Sequence, residues 1–488
     1  MQQPAWLSYR GLTSTNALFL LTLTLGCLFH FLRLDSLPMG FYVDESSIGY
    51  NAHLIALSGV DEHGVRWPLY FQAFGEYKNP LYIYLLAGFY RVFGYSLWAT
   101  RALSGCCWLV GSLCLFELAR RLFVDSRTRL YVALCLAFTP WLFSLTRVSY
   151  EFVILYPLLA AHLLALYRGF EEGSPRWALV AGVAIGLCLY AYTAFRLLAL
   201  LYAVAVLLCY RSRQYRKVQV PFIFGAGICA IPFAIYAFDH FSNLTARFKQ
   251  TTYLRDPTLS VLQKAWLFIE HYASYFGPSF LALFGDPNRR HHTGFGGEFL
   301  LTTVILLVMS VVALARDRSS RFKIYLLVGV LLTPVAAALT TQFYNSVRTY
   351  SMIAFVVMLS AYELRSLSPS VARGVVALTA FCAALYVGQY FYFYPPYSAV
   401  AFENYDFKGT LNEALNRSPT RIVLSSTGNQ PYINLLFFGS LFGTRVPLQI
   451  GTSDDLRPGD IYIDYDPKHG TNGLYWIATD TTKALSQR

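Results

Sequence analysis

Apolar residues run along this chain in blocks separated by short charged stretches. Eleven blocks have the length and character of membrane-spanning helices: approximately 16–34, 98–119, 129–146, 150–168, 176–191, 196–210, 218–238, 299–315, 323–341, 348–365 and 371–392. A twelfth, PLYIYLLAGFYRVFG (80–94), has 15 residues. At about 1.5 Å per residue it reaches about 22 Å, short of a hydrocarbon core of about 30 Å. It is predicted to be an interfacial or re-entrant helix. The apolar stretch 177–210 is interrupted by YTAFR (192–196). Two short spans with Arg196 at their turn are expected, because an arginine in mid-membrane is costly. The polar intervals 35–97, 239–298 and 393–488 are long. The second holds an expected interfacial helix at 261–276. The third combines alternating runs (RIVLS, DIYIDY) with a helical one (KGTLNEALN) and predicts a small α/β domain. No repeat of 20–50 residues is evident.

Composition strengthens the membrane reading. The chain is 56% hydrophobic and only 14% charged, against about a quarter charged in soluble domains. Its net charge of +12 invites a nucleic-acid partner. The positive charge lies in short loops between apolar blocks, however, which is the positive-inside pattern, and no nucleic acid is expected. The N-terminus, 120–129, 168–176, 211–217, 316–323 and 363–373 carry +1, +3, 0, +4, +3 and +1, whereas 35–79 carries −4. This predicts a cytoplasmic N-terminus and, after an odd number of spans, an extracytoplasmic tail. The first block lacks a small-residue cleavage site and reads as a retained span. All nine cysteines lie in apolar segments, without disulfide-framework or metal-type spacing.

Chemistry is expected at the outer face. In GFYVDESSIGYNAHLIAL (40–57) Asp44 and Glu45 open an amphipathic helix. Asp44 reads locally as an N-cap, and equally as a carboxylate at the water–lipid boundary able to take a proton. Lys78, in GEYKNPLYIY, precedes Pro80 at a helix start and suits a lipid phosphate at headgroup depth. Arg147 and Glu151 stand four apart in TRVSYEF and could pair. Arg196 and Arg348 sit at other outer helix ends. Basic residues are scarce outside, so these four cations point to a bound anion. Tyr77, Glu151, His291 and His292 are further candidates for substrate contact. Adjacent histidines do not make a metal site.

These motifs resemble a known group. An acidic pair follows the first span. Lys78-Asn79-Pro80-Leu81 matches K-x-P-L and is followed by FGYSLWATR, an ARRLF helix end and an outer turn with Arg147 and Glu151. The pattern resembles the GT-C superfamily of membrane glycosyltransferases. It is nearest to bacterial relatives of protein O-mannosyltransferases and of the aminoarabinose transferase that modifies lipid A. The resemblance covers roughly residues 16–350 and not the tail. It implies a GT-C-type all-α polytopic protein of about 11 spans, a transmembrane domain over 1–392 and a small α/β extracytoplasmic domain over 393–488. It implies a hexosyl- or pentosyltransferase in a plasma (bacterial inner) membrane that uses a polyprenyl-phosphate sugar. The acceptor would be a lipid, glycan or protein. Asp44 and Glu45 fall at its catalytic centre, with Lys78, Arg147, Arg348 and Arg196 on the donor phosphate. Direct displacement would invert the anomeric centre. No cofactor is called for, and a divalent cation is left open. Asn79 stands where many relatives have proline. A transporter and a lipid-linked glycan ligase or polymerase are the rival classes. Against a transporter, the spans carry few acids and the notable charges collect at the outer interface.

Overall fold

In a computed structural model, five helices among the described residues are long and apolar enough to cross a bilayer: Leu97–Leu122, Glu151–Glu171, Arg213–Thr251, Arg321–Ala338 and Pro369–Tyr392. Six shorter apolar helices accompany them, Pro80–Phe93 and the tail helix Pro431–Phe442 included. The structure describes residues 14–316, 320–404, 406–466 and 474–481. The expected cytoplasmic N-terminus (1–13) and part of the basic 316–323 loop lie outside the described residues. This is a mostly helical, multi-pass membrane architecture.

Local chemistry explains the breaks. The Ser96 hydroxyl caps Leu97–Leu122 by accepting the Ala99 N–H at 3.1 Å. Arg120 and Arg121 close that helix, where cations complement its dipole. The expected span 129–146 is divided into Ser126–Phe138 and Pro140–Leu145. Proline lacks the N–H that would continue the helix and pushes Thr139 into an extended conformation. The YTAFR break holds, between Pro175–Leu187 and Phe195–Cys209. One boundary is corrected. The second outer interval does not begin at 239, because Arg216–Thr251 continues through 36 residues with a single non-helical position at His240. A lone polar stretch at 239–251 hid this continuation.

Successive helices reverse direction, so links 123–125, 172–174 and 366–368 gather at one end of the bundle. There Arg121 donates to Glu172 at 2.7 Å, and Arg365 donates to the Leu122 carbonyl at 3.5 Å. At the opposite end lie the turns 32–42 and 146–151, the hairpin Phe71–Ala73/Glu76–Lys78 and the loop 284–300.

The tail folds beside that second end. Its sheet runs in the order Leu448–Gly451, Arg421–Ser425, Asp460–Asp466, Leu474–Asp480. The first two pairings are parallel and the last antiparallel. Pro431–Phe442 is apolar apart from Asn434 and Ser440 and was not legible as a separate element. It buries Phe438 in the tail's own core and turns Phe437 onto Gly49 of helix Val43–Ser58. Ser46 of that helix donates to Asn434 at 2.6 Å in a buried contact. Ser46→Ala leaves the Asn434 oxygen buried and unmet. It is expected to cost about 1–3 kcal/mol, read as a lower thermal midpoint and faster proteolysis of the tail. An unchanged midpoint would show that this contact does not hold the tail down.

Candidate active site

Two neighbouring carboxylates are sent in different directions by one helix start. Helix Val43–Ser58 begins after Tyr42, so Asp44 and Glu45 fall in its first turn. Consecutive helical residues lie about 100° apart around the axis. Glu45 turns inward and is fully buried against Arg101. The Arg101 Nε and Nη2 each donate to it at 2.8 Å. Arg101 spends its other donors on the carbonyls of Leu34, Pro38 and Gly40, at 3.1, 2.8 and 2.7 Å. Glu45 also accepts the Ser149 N–H at 3.1 Å. This cluster ties the chain after the first helix, the helix carrying Asp44 and the 146–151 turn into one unit.

Asp44 turns the other way, into a cavity of about 150 Å³. Its Oδ1 accepts from the Lys78 Nζ at 2.5 Å. The Asp44 side chain keeps 31% exposure and that of Lys78 only 7%. The local N-cap expectation is corrected. Asp44 is the second helical residue, and its side chain serves Lys78 instead of the helix backbone.

The hairpin places Lys78. Phe71–Ala73 pairs antiparallel with Glu76–Lys78 across a two-residue turn, Phe74-Gly75, with both φ values positive (55° and 72°). Such turns match the strand twist. Glu76 stands 3.7 Å from Lys78 and 3.1 Å from Arg247. Beyond the hairpin, Glu151 is clasped by Asn79 through the backbone N–H at 2.6 Å and the side-chain amide at 2.9 Å. Proline at 79 would remove both donors, which gives Asn79 a physical reason. The Asn79 oxygen in turn accepts from Arg196 at 3.0 Å.

The far wall comes from the 284–300 loop and the 339–351 link. Arg290 lies 3.9 Å above the Tyr42 ring. His291 bonds Asp286 through Nδ1 at 2.9 Å. Asp286 also accepts the Ser346 N–H at 2.8 Å, and Glu298 accepts the Asp286 N–H at 2.9 Å. Arg348 donates to Thr340 at 2.7 Å and to Gln342 at 3.0 Å. The cavity thus gathers Lys78, Arg247, Arg290 and Arg348 around Asp44, Glu76 and Glu151, with Tyr42, Tyr77, Tyr150 and Tyr192 as walls.

Charge sets the protonation states. Burial alone would raise the Asp44 pKa. The Lys78 ammonium, with help from Arg247 and Arg290, outweighs it and holds the carboxyl below its ordinary value. Burial would lower that of Lys78, but Asp44, Glu76 and Glu151 raise it. Burial and Asp286 push Glu298 well above the usual carboxylate range. Burial lowers His292 to about 4. His292 is consequently neutral, accepting the Gly294 N–H at 3.0 Å and donating to the Gly297 carbonyl at 3.2 Å.

Asp44, Lys78, Arg348, Tyr77, Glu151 and His291 of the expected residues line the cavity, and four others do not. Glu45 is taken by Arg101. Arg147 does not pair with Glu151. It is buried, donates to the carbonyls of Phe29, Leu32 and Leu37, and lies 5.1 Å from the rings of both Tyr390 and Phe391. Arg196 is committed to the Leu244 carbonyl and Asn79. His292 is locked in its own loop. Sequence reasoning missed Glu76, Arg247 and Arg290. Glu76 stands two residues before Lys78, a spacing only a recognised hairpin makes meaningful. Arg290 directly precedes the two histidines, but it lies in a polar loop with no spacing that ties it to Asp44 or Lys78. Arg247 carried no signal while its segment read as loop. Among the described residues no three His, Cys, Asp or Glu side chains are grouped to hold a metal ion.

Against this geometry, residues 77–237 match the sequence pattern of the dolichyl-phosphate-mannose-protein mannosyltransferase family. No curated protein sequence matches the chain. The fold matches ArnT from Cupriavidus metallidurans in two crystal structures. The form bound to undecaprenyl phosphate gives a TM-score of 0.64 at 14% identity, over 96% of this chain and 97% of that one. The apo form gives 0.61 at 14% identity, over 90% and 87%. The archaeal oligosaccharyltransferase AglB from Archaeoglobus fulgidus is more distant, with a TM-score of 0.47 at 14% identity over 88% of this chain and 64% of that one. The chain is therefore a membrane protein with the ArnT fold. It resembles the GT-C glycosyltransferases, and in residues 77–237 the protein mannosyltransferases among them.

Proposed function

We propose that this protein is a glycosyltransferase that moves a hexose or pentose from a polyprenyl-phosphate-linked donor to a lipid, glycan or protein acceptor. The carrying observation is the cavity at one end of the bundle, where Asp44 meets Lys78 among three arginines. The matched family and the ArnT structure with bound undecaprenyl phosphate support it. The cavity faces the extracytoplasmic side of a plasma membrane, bacterial inner membrane included. The tail from 393 forms a small second domain there, beside a transmembrane domain over 1–392.

The acceptor oxygen or nitrogen attacks the anomeric carbon, and the bond from that carbon to the phosphate oxygen breaks. The electron pair leaves with the polyprenyl phosphate, the acceptor proton passes to Asp44, and the anomeric centre inverts. Lys78, Arg247, Arg290 and Arg348 stabilise the charge growing on the leaving phosphate. In the free protein Lys78 holds Asp44 as a poorly basic carboxylate. A donor phosphate that draws the ammonium toward itself restores basicity to Asp44, so proton transfer waits for donor.

The test is reconstitution of the full chain in liposomes with a panel of polyprenyl-phosphate sugars, following release of polyprenyl phosphate and the anomeric configuration of the product. Consumption of none of them, together with no measurable affinity for polyprenyl phosphate, would overturn the reading. Lys78→Met is expected to weaken polyprenyl-phosphate binding at least about tenfold. It also removes the principal group holding the Asp44 pKa down, so burial then raises it. Activity that falls as Asp44 takes up a proton should therefore fail at higher pH in the variant than in the parent. An acid limb at the same pH, or lower, would separate Lys78 from Asp44.

A further inference from the structure

Away from the candidate site, helices Ser14–Phe31, Ser126–Phe138 and Pro369–Tyr392 enclose a groove of about 660 Å³. Its walls are apolar, with Leu21 and Leu25 on the first helix, Leu134 and Phe138 on the second, Ala380 and Val387 on the third. From Leu18 to Phe29 it follows the bundle axis for about 16 Å, at about 1.5 Å per residue. At one end stand two cations, Arg127 and Arg373. They begin their helices next to the links 123–125 and 366–368, at the end opposite Asp44. The fold holds Arg127 only through one long ion pair. The nearest carboxylate to Arg127 is Asp125 at 4.0 Å, and Arg373 has no hydrogen-bond or ion-pair partner among the described residues.

We infer that this groove binds one anionic phospholipid of the leaflet opposite the candidate site. The headgroup phosphate sits between Arg127 and Arg373, and an acyl chain lies along the apolar walls. A long apolar slot open to the bilayer accepts any acyl chain. Two guanidiniums at headgroup depth, one with only a long ion pair to Asp125 and the other without a partner among the described residues, select the charge, and guanidinium matches phosphate geometry well. The alanine on the third helix leaves the width that a chain needs.

The test uses the purified full chain in detergent, titrated with phosphatidylglycerol or phosphatidylcholine carrying the same acyl chains. Bound lipid is counted by native mass spectrometry and the thermal midpoint is followed. The parent protein should retain one phosphatidylglycerol, with half-saturation about tenfold below that of phosphatidylcholine. Arg127→Gln/Arg373→Gln should abolish that preference. Ala380→Leu, which narrows the slot and leaves the charges, should reduce retention of both lipids. Equal affinity for the two lipids, or a preference that survives the double variant, overturns the proposal. Retention insensitive to Ala380→Leu also overturns it, leaving only attraction to a basic surface. Undecaprenyl phosphate that displaces phosphatidylglycerol here at lower concentration would reassign the groove to the polyprenyl lipid and overturn the commitment to phospholipid.

Discussion

Asp44→Asn is expected to slow sugar transfer at least about 100-fold, the low end of what a positioned base contributes, while leaving a folded protein that still binds donor. The stability half follows from geometry. Asparagine is nearly isosteric, and its oxygen can still accept from Lys78. Glu76 remains 3.7 Å from the ammonium, so the cation is not left without a carboxylate. The binding half has a sign. With Asp44 neutral, Lys78 no longer divides its charge between a carboxylate and an incoming phosphate. Affinity for polyprenyl phosphate should hold or tighten. Binding and turnover measured on one reconstituted sample decide the matter. Near-parental turnover would remove Asp44 as the base and leave Glu76, Glu151 and His291, which also line the cavity, as the next to test. Loss of both binding and thermal stability would mean that the Asp44–Lys78 pair holds the site together and does not take the proton.

Arg101→Met should be the most destabilising single change near the site, at about 3–5 kcal/mol, because it strands a buried carboxylate. Glu45 is fully buried and would keep only the Ser149 N–H and a long contact at 3.4 Å from the Tyr42 N–H. Three backbone carbonyls, of Leu34, Pro38 and Gly40, would lose their donor in the same step. Arg101→Met/Glu45→Met removes the stranded charge and should recover part of the loss, though not the carbonyl contacts. Thermal midpoints of both variants measure this. A single variant as stable as the parent, or a double variant no better than the single, would show that the pair is not what fastens the acidic helix to the bundle. Asp44 and Glu45, adjacent in sequence, are thus expected to fail in different ways, one in turnover and the other in folding.

Part of this was legible in the order of residues. Apolar blocks announced most of the helices, but length alone does not separate the 14-residue Pro80–Phe93 from expected spans such as the 15-residue Phe195–Cys209. The break at 192–196 was legible because a charged residue interrupts an apolar run. Strand Asp460–Asp466 was legible because alternation is a local, period-2 signal, whereas Arg421–Ser425 is a short apolar run buried from Ile422 to Ser425. Asp44, Lys78, Glu151, Arg348 and His291 could be singled out because each is a polar residue at the edge of an apolar block.

Which of those charges share a cavity was a different matter. A sequence shows that Arg147 stands at an outer turn. It does not show that three carbonyls from residues 29–37 claim its guanidinium first. Asp44 and Glu45 have the same chemistry and nearly the same address, and only the helical rotation between them sends one to Arg101 and the other to Lys78. Arg247 and Arg290 come from segments more than 160 residues beyond Lys78 in the chain. The sequence by itself determined which segments are apolar and which residue types wait at their edges, because hydropathy and period are properties of neighbours. Tertiary structure decided which charges oppose each other, because hydrogen bonding depends on distance across the fold and not along the chain.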